Sequence, residues 1–165
     1  VAGDIQDIDR GWDDIKKKMR SADRSFTKVG LPFNVKVNKG SGGGSKGKRI
    51  TESFKLIDVA LVQEFGSKDG RIPPRAAIRQ AFDTNIRKIT DFQIRIYDGL
   101  IADKLNVRQG LGLLGEFMTG KIKRQITTLR SPPNKDSTKK RKGSSNPLID
   151  HSQYRNSVTH VEVIL

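Results

Sequence analysis

The sequence of 165 residues contains no cysteine and only two histidines. Disulfides and thiolate-held metals are therefore excluded, and a zinc site lacks its usual ligand set. Aromatic residues make up 6% of the chain, and no apolar run reaches the roughly 18 residues that a membrane helix requires. The opening stretch VAGDIQDIDR is acidic and polar, unlike a secretory leader, so a soluble chain made in the cytoplasm is expected. Acid is scarce overall: 32 Lys and Arg stand against 18 Asp and Glu, a formal net charge of +14. Such an excess steers encounters with nucleic acid or acidic protein surfaces without choosing between them. A hydrophobic content of 34% suffices for one modest core, so a single domain over 1–165 with surface arms is expected.

What is present falls into recognisable periods. Ile5, Ile8, Trp12, Ile15 and Met19 recur at spacings of three or four, the stripe of an amphipathic helix over 1–22. Residues 26–37 partly alternate around Pro32 and read as an edge strand. The run KGSGGGSKGKR at 39–49 has no side chain able to pack and reads as a solvated basic loop. Residues 50–65 are densely apolar, suiting a buried strand or a strand passing into a short helix. After the loop GSKDGRIPP comes a long helical hairpin over 75–130, with Asp83–Arg87 and Asp91–Arg95 as supporting pairs and Asn106 as a cap for its second arm. The first arm alone would reach roughly 40 Å. Residues 130–147 carry paired prolines and a cationic knot and read as a basic loop; 157–165 reads as a C-terminal strand closing the sheet. The expected class is α+β, an antiparallel sheet packed against a long helical hairpin with extended loops.

Several residue groups imitate catalytic motifs. Residues 42–48 satisfy G-x-x-x-x-G-K, but Arg49 stands where a phosphate loop places the hydroxyl that holds magnesium, and RITESFKLI does not continue as the required helix. A hairpin loop is the better reading. Asp150, His151 and Ser152 are the residue types of a hydrolase triad, yet adjacent side chains do not reach one another correctly, and an Asp/Ser turn or cap explains them. Asp7, Asp9, Asp13 and Asp14 lack calcium-loop spacing and suit the first turns of a helix. His160 reads as an ordinary strand residue. Flexible cations need no preformed pocket to meet phosphate. Lys46, Lys48, Arg49, Lys139, Lys140, Arg141 and Lys142 are therefore the candidates for lining a DNA channel or docking a partner, against the alternative of a solvated charge run. No aromatic residue interleaves with them, so base stacking is not expected and any DNA contact would be nonspecific. A basic, nonspecific nucleic-acid-binding protein is the alternative to the reading that follows.

Three ordered segments resemble the neck, head–tail joining and tail-completion proteins of tailed phages and the related virion-morphogenesis proteins. Val59-Ala-Leu-Val-Gln-Glu-Phe-Gly66 followed by Arg71-Ile-Pro-Pro-Arg75 is similar to the family's A-x-x-x-E-F-G, I-P-x-R-x-F-x-R run. Residues 115–128 are similar to its second helix. Ser137-Thr-Lys-Lys-Arg-Lys142, Asn146-Pro-Leu-Ile-Asp150 and Arg155-Asn-Ser157 are similar to its S-T-x-x-R-K, K-P-L-I-D-T-G, L-R-N-S-I ending. The resemblance covers about residues 50–165. Glu64, Phe65, Gly66, Ile72, Pro73, Pro74, Arg75, Pro147, Leu148, Asp150, Arg155, Asn156 and Ser157 are its structural motif residues. The chain departs from the pattern at Ala77, where the family has a bulky aromatic, and at His151-Ser152, which replaces Thr-Gly in a turn that glycine enters more readily.

The resemblance implies a structural virion subunit, not an enzyme, with neither cofactor nor metal. Its partners would be copies of itself in a sixfold or twelvefold ring and the adjacent connector and tail proteins, with packaged DNA passing through and no membrane involved.

Overall fold

The computed structural model describes residues 11–37, 55–149 and 152–165. Residues 1–10 of the expected first helix, the Gly-rich loop at 39–49, Asp150 and His151 lie outside the described residues.

The chain is α+β, as its periodicity predicts. In order come α1 (Trp12–Arg24), β1 (Phe26–Gly30), α2 (Leu56–Phe65), α3 (Ala77–Asp83), α4 (Ile86–Ile101), α5 (Val107–Thr128), α6 (Asp136–Lys142), α7 (Gln153–Asn156) and β2 (Thr159–Val163). β1 and β2 form an antiparallel pair in which Phe26 faces Val163 and Gly30 faces Thr159. The expected C-terminal strand thus forms, and the strand it pairs with is β1.

Helix α5 is the axis. Its start is fixed locally by a capping box: the Asn106 side chain accepts from the Gln109 amide, while the Gln109 side chain accepts from the Asn106 amide. Helix α4 lies antiparallel along its first half, with Phe92 stacked on Phe117 at 4.8 Å between ring centroids. The sheet crosses the same half, and His160 sits so close to Gly115 that an added Cβ would meet its ring carbon at 2.4 Å. A side chain at 115 would push the strand away. The second half of α5 carries the core: Ile122 and Ile126 are fully buried against Ala77 and Ala81 of α3, with Leu56, Ala60, Leu129, Leu148, Tyr154 and Val158 completing the cluster.

Three expectations need correction. The long first arm of the hairpin is broken at Thr84 and Asn85, leaving α3 and α4 as separate helices, and α4, 16 residues long, spans only about 24 Å. Thr84 Oγ1 and Asn85 Nδ2 bond the carbonyls of Gln80 and Ala81, so local side chains take up helix-end acceptors at the break. The anticipated i,i+4 pairs do not form there: Arg95 donates to the Asp91 backbone carbonyl at 3.3 Å instead of its carboxylate. The apolar run at 50–65 needs no correction where it is described: Lys55 makes an antiparallel β-bridge to Lys36 and α2 follows from Leu56, burying Leu56, Ala60 and Glu64, in keeping with a strand passing into a short helix. Residues 130–147, expected as loop, contain α6, which has Asp136 in its first turn and ends on Gly143 in the left-handed conformation.

Candidate functional site

The motif residues of the resemblance meet around two buried charges. Glu64 is 8% exposed and Arg75 is 4% exposed. Buried charge is tolerated where its hydrogen-bonding capacity is met, and each of these groups has an assigned task.

Glu64, in the last turns of α2, receives the amides of Ile78 at 3.1 Å and Arg79 at 2.9 Å. Those N–H groups belong to the first turn of α3, which has no side-chain cap of its own. A carboxylate there satisfies two orphan donors and faces the favourable end of the helix dipole. Between Glu64 and α3 the chain must reverse, and Gly66 does this at φ +83, where a Cβ would stand 3.1 Å from the Ile72 carbonyl oxygen. The loop is tied by the Ser67 amide donating to the Ile72 carbonyl at 2.9 Å and by Ser67 Oγ donating to Asp69 at 2.5 Å. That hydroxyl, together with the Arg71 amide, holds the Asp69 carboxyl below its usual range.

Arg75 spreads its guanidinium over the start of the next connection. It donates to the Pro132 carbonyl at 2.8 Å, the Pro133 carbonyl at 3.2 Å, Asn134 Oδ1 at 3.1 Å and Gln63 Oε1 at 3.0 Å. Burial pushes its basicity down, though a guanidinium remains charged throughout the ordinary pH range. The planar fork suits this task because the carbonyls of two consecutive prolines have no partner amide within their own segment.

Asn146 closes the other side. Its Nδ2 donates to the Thr127 carbonyl at 2.8 Å, and its Oδ1 accepts from the amides of Leu148 at 3.0 Å and Ile149 at 3.2 Å. The N-P-L-I turn is thereby pinned to the end of α5, which drops Leu148 into the core. Tyr154 is buried below it, its hydroxyl without a hydrogen-bond partner among the described residues. Burial, with the Glu64 carboxylate nearby, raises its pKa well above the ordinary tyrosine value. Ser152, at the departure from the Thr-Gly pattern, does adopt the left-handed conformation, with φ 57. Arg155 donates to Asn156 Oδ1 at 3.2 Å next to Ser157, which ends α7. Phe65, Ile72 and Pro74 are on the outer surface, and Pro73 is partly covered.

Among the described residues the three basic candidates Lys139, Lys140 and Lys142 have different surroundings. Lys139 pairs with Asp136 at 2.9 Å. Lys142 turns inward, donating to the carbonyls of Asn146 at 3.2 Å and Pro147 at 3.4 Å, so it braces the N-P turn. Lys140 is exposed on α6. Lys46, Lys48, Arg49 and the Arg141 side chain lie outside the described residues. His160, expected as a plain strand residue, has Glu162 at 3.4 Å, Glu116 at 3.8 Å and Thr119 Oγ1 at 3.4 Å around its ring. Among the described residues no group of three or more His, Asp or Glu side chains is arranged to hold a metal ion. No helix among them is long and apolar enough to cross a membrane.

Sequence reading missed two features. The distant capping by Glu64 has no local signal, because its target is 14 residues further on. Nor does the expected hairpin mark a second apolar face on α4, where Ile86 and Ile94 are 61% and 54% exposed.

Comparison of the chain with protein-family profiles, curated proteins and solved structures gives no match.

Proposed function

We propose that the chain is a structural subunit of the neck of a tailed-phage virion, a head–tail connector or tail-completion protein that joins head to tail around the DNA channel by ring assembly. The observation that carries this reading is the convergence of the resembling segments. Glu64, Gly66 and Arg75 of the first segment cap α3 and hold the Pro132–Asn134 connection that leads into the third, whose Leu148 enters the same core as Ala60 of α2. Motif positions that cooperate in one scaffold are what a shared fold requires, whereas scattered matches would carry no such dependence. Assembly also suits the surface, where Trp12, Phe33, Phe65, Ile86 and Leu165 stand largely in solvent. Apolar groups exposed on one subunit are ordinary material for contacts made on association.

The test is native mass spectrometry of the purified chain with image reconstruction of the phage particles it is produced alongside. A ring of this chain at the head–tail junction is the expected result. A chain that stays monomeric alone and is absent from particles would end the proposal.

The nucleic-acid reading keeps its support in the +14 charge. It predicts duplex binding with a steep salt slope that falls sharply when Lys139, Lys140, Arg141 and Lys142 are neutralised together. Lys142→Ala within that set is confounded by its bonds to the Asn146–Pro147 turn, so Lys140→Ala is the cleaner variant.

A further inference from the structure

Helix α4 has three faces. At about 100° per residue, Ile89, Phe92, Ile96 and Leu100 fall together on the side turned to α5. Arg87, Asp91, Arg95 and Asp98 follow on the next side. The remaining face, about 80° wide, holds Ile86, Thr90, Ile94, Tyr97 and Ile101, of which the four large apolar residues are between 42% and 61% exposed. One face of an amphipathic helix normally covers the core and the rest is polar. A second apolar stripe running the whole helix lies beyond what one core explains.

We infer that this stripe is where a second copy of the chain docks, α4 against α4, antiparallel about a two-fold axis near Ile94. The charge pattern selects both the partner and the direction. In an antiparallel helix pair each flank meets the same flank of the partner; in a parallel pair it meets the opposite one. Antiparallel, Ile86 lies over Ile101 of the other copy and Thr90 over Tyr97. The same register, to within two residues, brings Arg87 to Asp98 and Asp91 to Arg95. Every charge on the flank then faces its opposite, twice over by symmetry. In a parallel pair the charged flank would face the side carrying Gln93 and Leu100, with no ion pair to gain. Among the described residues Arg87, Asp91 and Asp98 make no side-chain ion pair within the subunit, so their carboxylates and guanidinium are available.

The net charge of +14 does not oppose this contact at close range. The flank itself is balanced, and charges further away than about 8 Å are largely screened at physiological salt. A two-fold contact uses the same patch on both copies and closes at two. It therefore goes beyond the neck reading: it describes a dimer of the free chain, distinct from the lateral contacts that would build a ring, and it does not depend on that ring existing.

Because the chain has no cysteine, single cysteines report geometry without background. Ile86→Cys and Ile101→Cys variants, each oxidised alone and then as an equimolar mixture, separate the two directions. The expected result is a disulfide-linked dimer chiefly in the mixture. Efficient cross-linking of either variant by itself, or none in the mixture, overturns the antiparallel pair. Sedimentation supplies the second measurement. Wild type should dimerise, and Ile94→Asp should weaken the dimer at least tenfold with an unchanged circular dichroism spectrum. Asp91→Arg should weaken it too, and adding Arg95→Asp should restore it. A monomeric wild type, or a larger assembly indifferent to Ile94→Asp, overturns the proposal, and the latter result would leave the ring reading standing.

Discussion

The Glu64–Arg75 region and the outer face of α4 break the inside–outside rule in opposite directions. In the first, charge is buried; in the second, isoleucine is exposed. The difference lies in partners. Arg75 reaches four acceptors from two segments, and Glu64 receives two helix amides, so the cost of desolvation is met inside the fold. Ile86, Ile94 and Ile101 have no comparable answer among the described residues. A buried charge with its bonds complete is a fastening of the fold, whereas a continuous apolar stripe left in water is the ground for the docking proposed above.

Stability measurements probe that contrast most sharply at its centre. Arg75→Ala strands the carbonyls of Pro132 and Pro133 and the side chains of Asn134 and Gln63, and a loss of about 3–5 kcal/mol is expected from urea denaturation. Ile94→Ser, followed at concentrations where the chain is monomeric, should cost no more than about 0.5 kcal/mol. Equal losses would mean that the two regions are not different in kind.

Glu64→Gln keeps the shape but offers one carbonyl to two amides, and it should cost about 1–2 kcal/mol by the same assay. A neutral result would show that the carboxylate is not the cap of α3.

Ser152→Gly tests the rim of the region. A non-glycine residue at φ 57 carries a penalty that glycine does not, so the substitution should raise stability by about 1 kcal/mol, read as a higher urea midpoint. Destabilisation would indicate that the serine side chain contributes more than the strain removes.

The smallest effect at neutral pH is expected from Tyr154→Phe, which deletes a buried hydroxyl that has no partner among the described residues. Near pH 7 the change should be within about 0.5 kcal/mol. At alkaline pH the variants diverge. A tyrosine pKa raised in the fold gives stability that is complete below the unfolded value of about 10 and is lost as pH rises through the folded value. Wild type should therefore lose more stability than Tyr154→Phe between about pH 9 and about pH 11. Parallel decline of the two would assign the alkaline loss to other groups.

The sequence made some of this legible, depending on how far each cause acts along the chain. The cap at Asn106 was readable because Gln109, its reciprocal partner, is three residues away. The C-terminal strand was readable from its β-forming run, but its pairing with β1 was not named by any local signal. The break between α3 and α4 was not readable, because Thr84 and Asn85 interrupt neither the apolar period nor the charge pattern. Helix α6 was hidden by a composition that predicts a loop, since it gains its place through Lys142 and Gly143 at its end, not an apolar face. In the candidate site, the motif segments were visible as text. Their convergence was not, because Arg75 and its proline carbonyls are separated by 57 and 58 positions. Of the cations at 139–142, which read alike in sequence, the fold gives Lys139 an aspartate and Lys142 two carbonyls.

The cap that Glu64 lends to α3 also bears on the order in which the chain gains structure. A helix of seven residues with no start signal of its own is a poor nucleus. Its first turn can persist only after α2 has formed and the turn at Gly66 has delivered the carboxylate. The amides of Ile78 and Arg79 are therefore reporters placed on one helix for the docking of another. In native-state hydrogen exchange they should be released together with the amides at the end of α2, as one cooperative unit, and earlier than the amides around Ile122 on the central helix.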